Sequence, residues 1–327
     1  MIKRIQKAVL LLAENPHKFF TRLFKIMPRF TIKNLFYSFQ QWLCIAVFKM
    51  NGLEKYSKIQ SSVPWVVILS GDDIFLKISW REKSIDHELK NMELICEFDP
   101  LRIFILPFRH KKKLWYSVIE TPKIYPITDD AELFKVAEII LEKFQSCAVI
   151  KTNNNIEDFQ QIICGLNVIR EISGLGKMLI CANQMNDLIR KEPFYIGPAH
   201  GDFHPKNILK DSNRNLYIID LDCYRQQGIQ AIDPIYLINE YYANKNKISW
   251  YEQLILFAEN KQDILADEMF FLNKFCNTFN RQWLLMYFLD RLGQDRSYVV
   301  TTAEMPAREI TKSLDVCLKN LAPCCNK

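Results

Sequence analysis

An aspartate and an asparagine stand five residues apart in His200-Gly201-Asp202-Phe203-His204-Pro205-Lys206-Asn207, a short loop between apolar segments. A second carboxylate, Asp220, follows the strand-like run Leu216-Tyr217-Ile218-Ile219, with Asp222 two positions on. Phosphoryl transfer from a nucleoside triphosphate uses this set of groups. One carboxylate accepts the proton of the attacking hydroxyl, and an oxygen-donor pair holds Mg²⁺ on the phosphates. Asp202, flanked by Gly201 and by a Phe203 that can anchor the loop in a core, is the candidate catalytic residue. Asn207 offers a neutral oxygen and Asp220 a charged one, both hard ligands for a hard cation. The alternative is a plain turn followed by a hairpin with solvated acids, which the spacing disfavours.

The elements around these residues change character along the chain. Residues 1–50 read as amphipathic helices punctuated by Pro16 and Pro28, with Phe19, Phe20, Leu23, Phe24 and Met27 at helical spacing. Beyond Asn51-Gly52 the period becomes two. Trp65–Leu69 and Ile74–Ser79 are expected strands joined by the turn Ser70–Asp73. A helix is expected over Ile85–Phe98, with Ile85, Leu89, Met92 and Ile95 on one face. A second strand pair is expected at Arg102–Phe108 and Leu114–Glu120, around a basic turn at Arg109–Lys113. From Asp129 the pattern is mainly helical, apart from the opening loop and its strand. The expected organisation is a basic helical extension over 1–50, a small strand-rich lobe over 51–122, and a helical lobe over 123–327.

Composition narrows the class. The 327 residues are 49% hydrophobic and 24% charged, which suits a globular chain and excludes a low-complexity architecture. Ten scattered cysteines with no C-x-x-C pair fit a reducing cytoplasm and argue against a zinc site. Residues 1–50 hold nine Lys/Arg against Glu14 alone. That is +8 of a net +6, so the remainder is about −2. The short apolar stretch Ala8–Ala13 is a poor signal peptide, and Trp42–Phe48 is far below the roughly 20 residues that span a bilayer. The N-terminal segment fits two roles: peripheral contact with anionic membrane lipids, or an extra helical layer on the small lobe. No nucleic-acid-binding module surrounds the charge, so nucleic acid is not an expected partner.

The motif His200-Gly201-Asp202-x₄-Asn207 with Ile219-Asp220-x-Asp222 resembles the aminoglycoside phosphotransferase and choline kinase-like family. The resemblance is carried by residues 195–240. It implies an α+β, two-lobed protein kinase-like fold, with a small antiparallel-sheet N-lobe and a larger helical C-lobe. It also implies an ATP- (or GTP-) and Mg-dependent phosphotransferase acting on a hydroxyl of a small molecule or glycan. By this resemblance Asp202 matches the catalytic Asp, Asn207 and Asp220 the Mg²⁺ ligands, and Asp222 a second acid. Asp233, in Ile232-Asp233-Pro234, matches a structural Asp that buttresses the loop.

Two departures point away from protein substrates: His204 stands where Ser/Thr protein kinases have Lys, and Asp220-Leu221-Asp222 replaces D-F-G. Upstream, Lys77 in the apolar strand Phe75-Leu76-Lys77-Ile78 is the expected ATP-clamping lysine, with Glu88 as partner and Glu93 as competitor. No G-x-G-x-x-G precedes Lys77. Ser61 and Ser62 stand there, and such hydroxyls can bind phosphate in the resembling family. Glu120–Ile124 is the expected adenine-facing linker, and Tyr236, Glu240, Tyr241 and the Phe270–Asp290 region are candidates for the acceptor pocket. A catalytically inactive kinase fold serving as a binding or scaffold protein is the rival reading.

Overall fold

Lys77 lies in a strand whose alternate residues face opposite sides of a sheet. In the computed structural model, which describes residues 57–59, 66–79, 82–112, 117–151, 156–191, 193–276, 278–297 and 307–321, this sheet has five antiparallel strands. They are β1 (Ser57–Ile59), β2 (Val66–Ser70), β3 (Ile74–Ser79), β4 (Arg109–Lys112) and β5 (Ser117–Pro122), in the order β1-β2-β3-β5-β4. Leu76 and Ile78 of β3 pack with Val67, Leu69 and Val118 in a small apolar cluster. The alternation therefore turns Phe75 and Lys77 to the other face. The basic segment 1–50 and the serines Ser61 and Ser62 lie outside the described residues.

Helix α1 (Glu82–Ile95) follows β3 directly. Ile85, Glu88, Met92 and Ile95 recur at helical spacing and all are buried, which places one carboxylate in an otherwise apolar stripe. The strand expected over Arg102–Phe108 does not form. A single helical turn, α2 (Asp99–Arg102), forms instead, with Pro100 at its second position, and buries Leu101. Residues beyond it make only an isolated bridge, Ile105 to Ile218. The expected basic turn is instead the edge strand β4, with Arg109 opposite Glu120 and Lys111 donating to the Glu120 carboxylate at 3.1 Å. Opposite charges across the ladder favour this pairing, and an exposed lysine-rich edge discourages further strand addition.

The larger part begins with the short strand β6 (Tyr125–Pro126) and helix α3 (Asp130–Ser146), capped by Asp129, whose side chain accepts from Glu132 N at 2.7 Å. Next come β7 (Val149–Lys151), α4 (Gln160–Ser173), α5 (Leu175–Lys191), β8 (Phe194–Ala199), β9 (Ile208–Lys210), β10 (Leu216–Ile218) and β11 (Arg225–Ile229). Five helices finish the described chain: α6 (Ile232–Asn246), α7 (Trp250–Ala258), α8 (Ala266–Cys276), α9 (Arg281–Ser297) and α10 (Ala307–Leu321). Two three-stranded sheets, β10-β9-β6 and β11-β8-β7, form here; of their strands, β10 falls on the run Leu216-Tyr217-Ile218-Ile219 that reads as strand-like in the sequence. Four of their six strands have only two or three residues, too short to show a period.

The core of this part is one continuous apolar mass that includes Phe144, Phe194, Trp283, Tyr287 and Phe288. Helices α4 and α9 approach so closely that a Cβ on Gly165 would sit 2.1 Å from the Leu289 carbonyl oxygen. A Cβ on Gly293 would meet the Gln161 carbonyl at the same distance. Because the obstacle is backbone, Gly165→Ala must push the helices apart. We expect a loss of about 1–3 kcal/mol in urea unfolding. Among the described residues no helix is long and apolar enough to cross a membrane.

Candidate active site

The loop from His200 to Asn207 leaves β8 and returns as β9, and buried groups hold it from beneath. Asp233, in the first turn of α6 and 1% exposed, accepts from His200 N at 2.7 Å and Gly201 N at 2.9 Å. Burial pushes the Asp233 carboxyl up, against the pull of His200 and the two amides. His200 is itself buried. Its Nδ1 accepts from Asp202 N at 3.3 Å and its Nε2 donates to the Ile219 carbonyl at 3.0 Å. That pattern defines a neutral tautomer, consistent with a pKa lowered by burial. Gly201 has φ +78°, and a Cβ there would lie 2.2 Å from the Cys223 carbonyl oxygen, so only glycine fits. Phe203 anchors the loop in the core, as its flanking position suggested.

Asp202 emerges from this frame with its side chain 20% exposed. One oxygen, Oδ1, accepts from Arg291 Nη1 at 2.8 Å. The other, Oδ2, faces His204 Nε2 at 3.7 Å. His204 Nδ1 accepts from Lys206 N, so Nε2 carries the hydrogen and points it toward the carboxylate. Burial by itself would raise the Asp202 pKa, but Arg291 and His204 outweigh it and hold the group below its ordinary value. Asp202 is thus ionised throughout the neutral range.

Arg291 was not identified from the sequence. It lies on α9, 89 positions from Asp202, and nothing local distinguishes it from a surface arginine. The same is true of its neighbours in the helix. Asp290 forms a buried bidentate pair with Arg225 at 2.7 and 2.9 Å, and Gln294 donates to the Gly201 carbonyl while accepting from Tyr236 Oη.

Asn207 Nδ2 donates to the Asp202 carbonyl at 2.9 Å, which leaves its Oδ1 as the acceptor end of the amide. Ile219 N donates to the Asn207 carbonyl at 3.1 Å, tying the loop to the chain that carries Asp220. Asp220 adopts left-handed backbone at φ 60°, ψ 55°, a conformation that Asp tolerates better than most residues. Its carboxylate is about half exposed and lies 3.9 Å from Lys77 Nζ.

Lys77 is 2.5 Å from Glu88 Oε2, whereas Glu93 is exposed. Burial would lower the lysine pKa, but Glu88, Asp220 and Asp222 together raise it, so the ammonium stays charged. Helix α1 also reaches the Asp220 turn. Asn91 Nδ2 donates to the Leu221 carbonyl at 2.7 Å and His87 Nε2 to the Asp222 carbonyl at 3.1 Å. One helix therefore positions both the lysine and the turn that bears the two acids.

Between the sheets lies a cleft of about 400 Å³. Phe75, Leu106, Ile119, Ile124, Leu209 and Ile218 make its apolar walls, and Lys77, Glu88 and Asp220 supply its charges. Such a slot suits a flat heteroaromatic base with phosphates at the charged groups. Of the expected acceptor residues, Tyr236 is fully buried, Tyr241 donates to Asp130, and Glu240 sits 3.8 Å from Arg291 Nη2.

No family model matches the sequence, nor does any curated protein. Solved structures do match. A choline kinase from Streptococcus pneumoniae superposes with a TM-score of 0.50 at 11% identity, over 86% of this chain and 99% of its own. An ADP-bound aminoglycoside phosphotransferase does so with a TM-score of 0.50 at 12% identity, over 83% of this chain and 97% of its own. The chain has the protein kinase-like fold of these small-molecule kinases. Within that fold the five-stranded sheet with α1 is the small lobe, and the cleft lies between it and the helical lobe. At these identities the superposition speaks for the architecture alone.

Proposed function

We propose that this kinase-like chain transfers the γ-phosphate of ATP or GTP to a hydroxyl of a small molecule or glycan. One observation carries the reading: Lys77, Glu88 and Asp220 meet at the charged part of an apolar cleft, and Asn207 ties Asp220's strand to the Asp202 loop. The acceptor hydroxyl approaches Asp202 Oδ2, since Oδ1 is engaged by Arg291. Its oxygen bonds to the γ-phosphorus as the bond to the β-bridging oxygen breaks. The nucleoside diphosphate leaves with that electron pair, and the proton passes to Oδ2. Lys77, oriented by Glu88, pairs with the α- and β-phosphates.

The donor chemistry fits Mg²⁺. Asn207 Oδ1 and the half-exposed Asp220 carboxylate would hold it, with Asp222 as a further candidate. When bound, the ion neutralises phosphate charge. Ser61 and Ser62 remain candidates for phosphate contact.

The test is binding followed by turnover. Mg-ATP or Mg-GTP at about 100 times its Kd should stabilise the protein by about 2.7 kcal/mol in a thermal shift. No shift with either nucleotide would overturn the reading. Lys77→Met should weaken nucleotide binding by about 2–3 kcal/mol, because it removes the phosphate partner and strands Glu88. Calorimetric titration measures this directly.

A further inference from the structure

Beside Asp202, on its helical side, lies an aromatic recess of a kind that recognises organic cations, and it is already filled. The Arg291 guanidinium carbon is 5.1 Å from the centre of the Tyr236 ring and 5.7 Å from that of Trp250. Two carboxylates complete the surround, Asp202 at 2.8 Å and Glu240 at 3.8 Å from the guanidinium nitrogens. Two π faces and two acids are what a quaternary ammonium group needs.

The recess is rigid. Tyr236 Oη is held by Gln294, and Tyr287 stands edge-on to Tyr236 at 4.8 Å and to Trp250 at 6.0 Å. Asn239 bridges the Trp250 carbonyl and Tyr287 Oη, both at 3.0 Å. The rings are therefore set independently of any ligand.

We propose that Arg291 is a built-in occupant of this recess, so that the acceptor is an uncharged polyol, such as a sugar, and not an ammonium-bearing alcohol. This rests on the phosphotransferase reading. A second cation could reach these rings only by displacing the guanidinium from both faces and from its two carboxylates. What remains on the acceptor side is a row of hydrogen-bond acceptors, Asp202 Oδ2 and the Glu240 carboxylate. Neighbouring hydroxyls, each both donor and acceptor, can satisfy such a row.

The probe is tetramethylammonium, followed by quenching of tryptophan fluorescence with Trp250→Phe as the control. Wild type should show no saturable quenching at millimolar concentration. Arg291→Ala should bind about tenfold or more tightly than wild type. Saturable binding by wild type that Trp250→Phe abolishes would overturn the proposal, as would a folded Arg291→Ala that fails to bind. If Arg291→Ala does not fold, Arg291→Met tests the same opening, and the wild-type titration stands by itself. A turnover arm separates the two readings. Choline that raises Mg-ATP consumption by wild type above its rate in water alone refutes the exclusion and leaves phosphotransfer intact. Loss of the Mg-nucleotide thermal shift refutes phosphotransfer.

Discussion

We expect Asp202→Asn to lower the proposed phosphate transfer by about 10²–10⁴-fold while Mg-nucleotide binding persists. Asparagine keeps the shape of the side chain but cannot accept the hydroxyl proton. The nucleotide contacts assigned to Lys77, Glu88, Asn207 and Asp220 do not pass through this carboxylate. Release of ADP, with water as acceptor until the native one is in hand, gives the rate; the thermal shift gives the binding. Unchanged turnover would remove Asp202 from the mechanism and favour the binding-protein alternative.

The same variant has a pH signature. The Asp202 pKa is depressed in the folded protein by Arg291 and His204, despite burial. A depressed carboxyl contributes stability above its unfolded pKa and loses it as pH falls through the folded value. The melting temperature of wild type should thus exceed that of Asp202→Asn at neutral pH, and the gap should close in acid. A gap that widens in acid contradicts the Arg291–Asp202 pair.

Asp233→Ala has the largest expected effect on stability, about 3–5 kcal/mol, or roughly 5–10 °C in Tm. It removes two hydrogen bonds to a charged acceptor and leaves the His200 and Gly201 amides buried without partners. It also frees the backbone immediately before Asp202, so turnover should fall even in the folded fraction. Asp233→Asn should be milder in packing but still poor, because an amide can offer only one of its two end atoms as an acceptor. Urea unfolding compares the three proteins. A cost below about 1 kcal/mol for Asp233→Ala would show that the loop is held by other contacts.

Much of the site is legible in the sequence because its chemistry is local. Asp202, Asn207 and Asp220 belong to one loop and the hairpin after it, where spacing nearly determines geometry. Lys77 is recognisable because an ammonium between apolar strand neighbours needs a partner. Glu88 falls on the buried stripe of the next helix, and that separates it from Glu93. The strand at Arg102–Phe108 was misread for a related reason: an apolar run satisfies a strand pattern and a buried irregular segment equally well. The charged stretch that does pair, Arg109–Lys112, owes its strand to Glu120 across the ladder.

The sequence by itself pointed to the proposed reaction type and to most of the residues proposed to carry it. Only the tertiary structure decided which oxygen of Asp202 is bonded to Arg291, and what fills the recess beside it. Arg291, Glu240, Tyr236 and Trp250 come from three helices and meet only when those helices pack. Chain stiffness and hydrophobic periodicity act over a few residues. The pairing of groups some 90 positions apart is set by the burial of whole helical faces, which leaves no local mark on the residues it brings together.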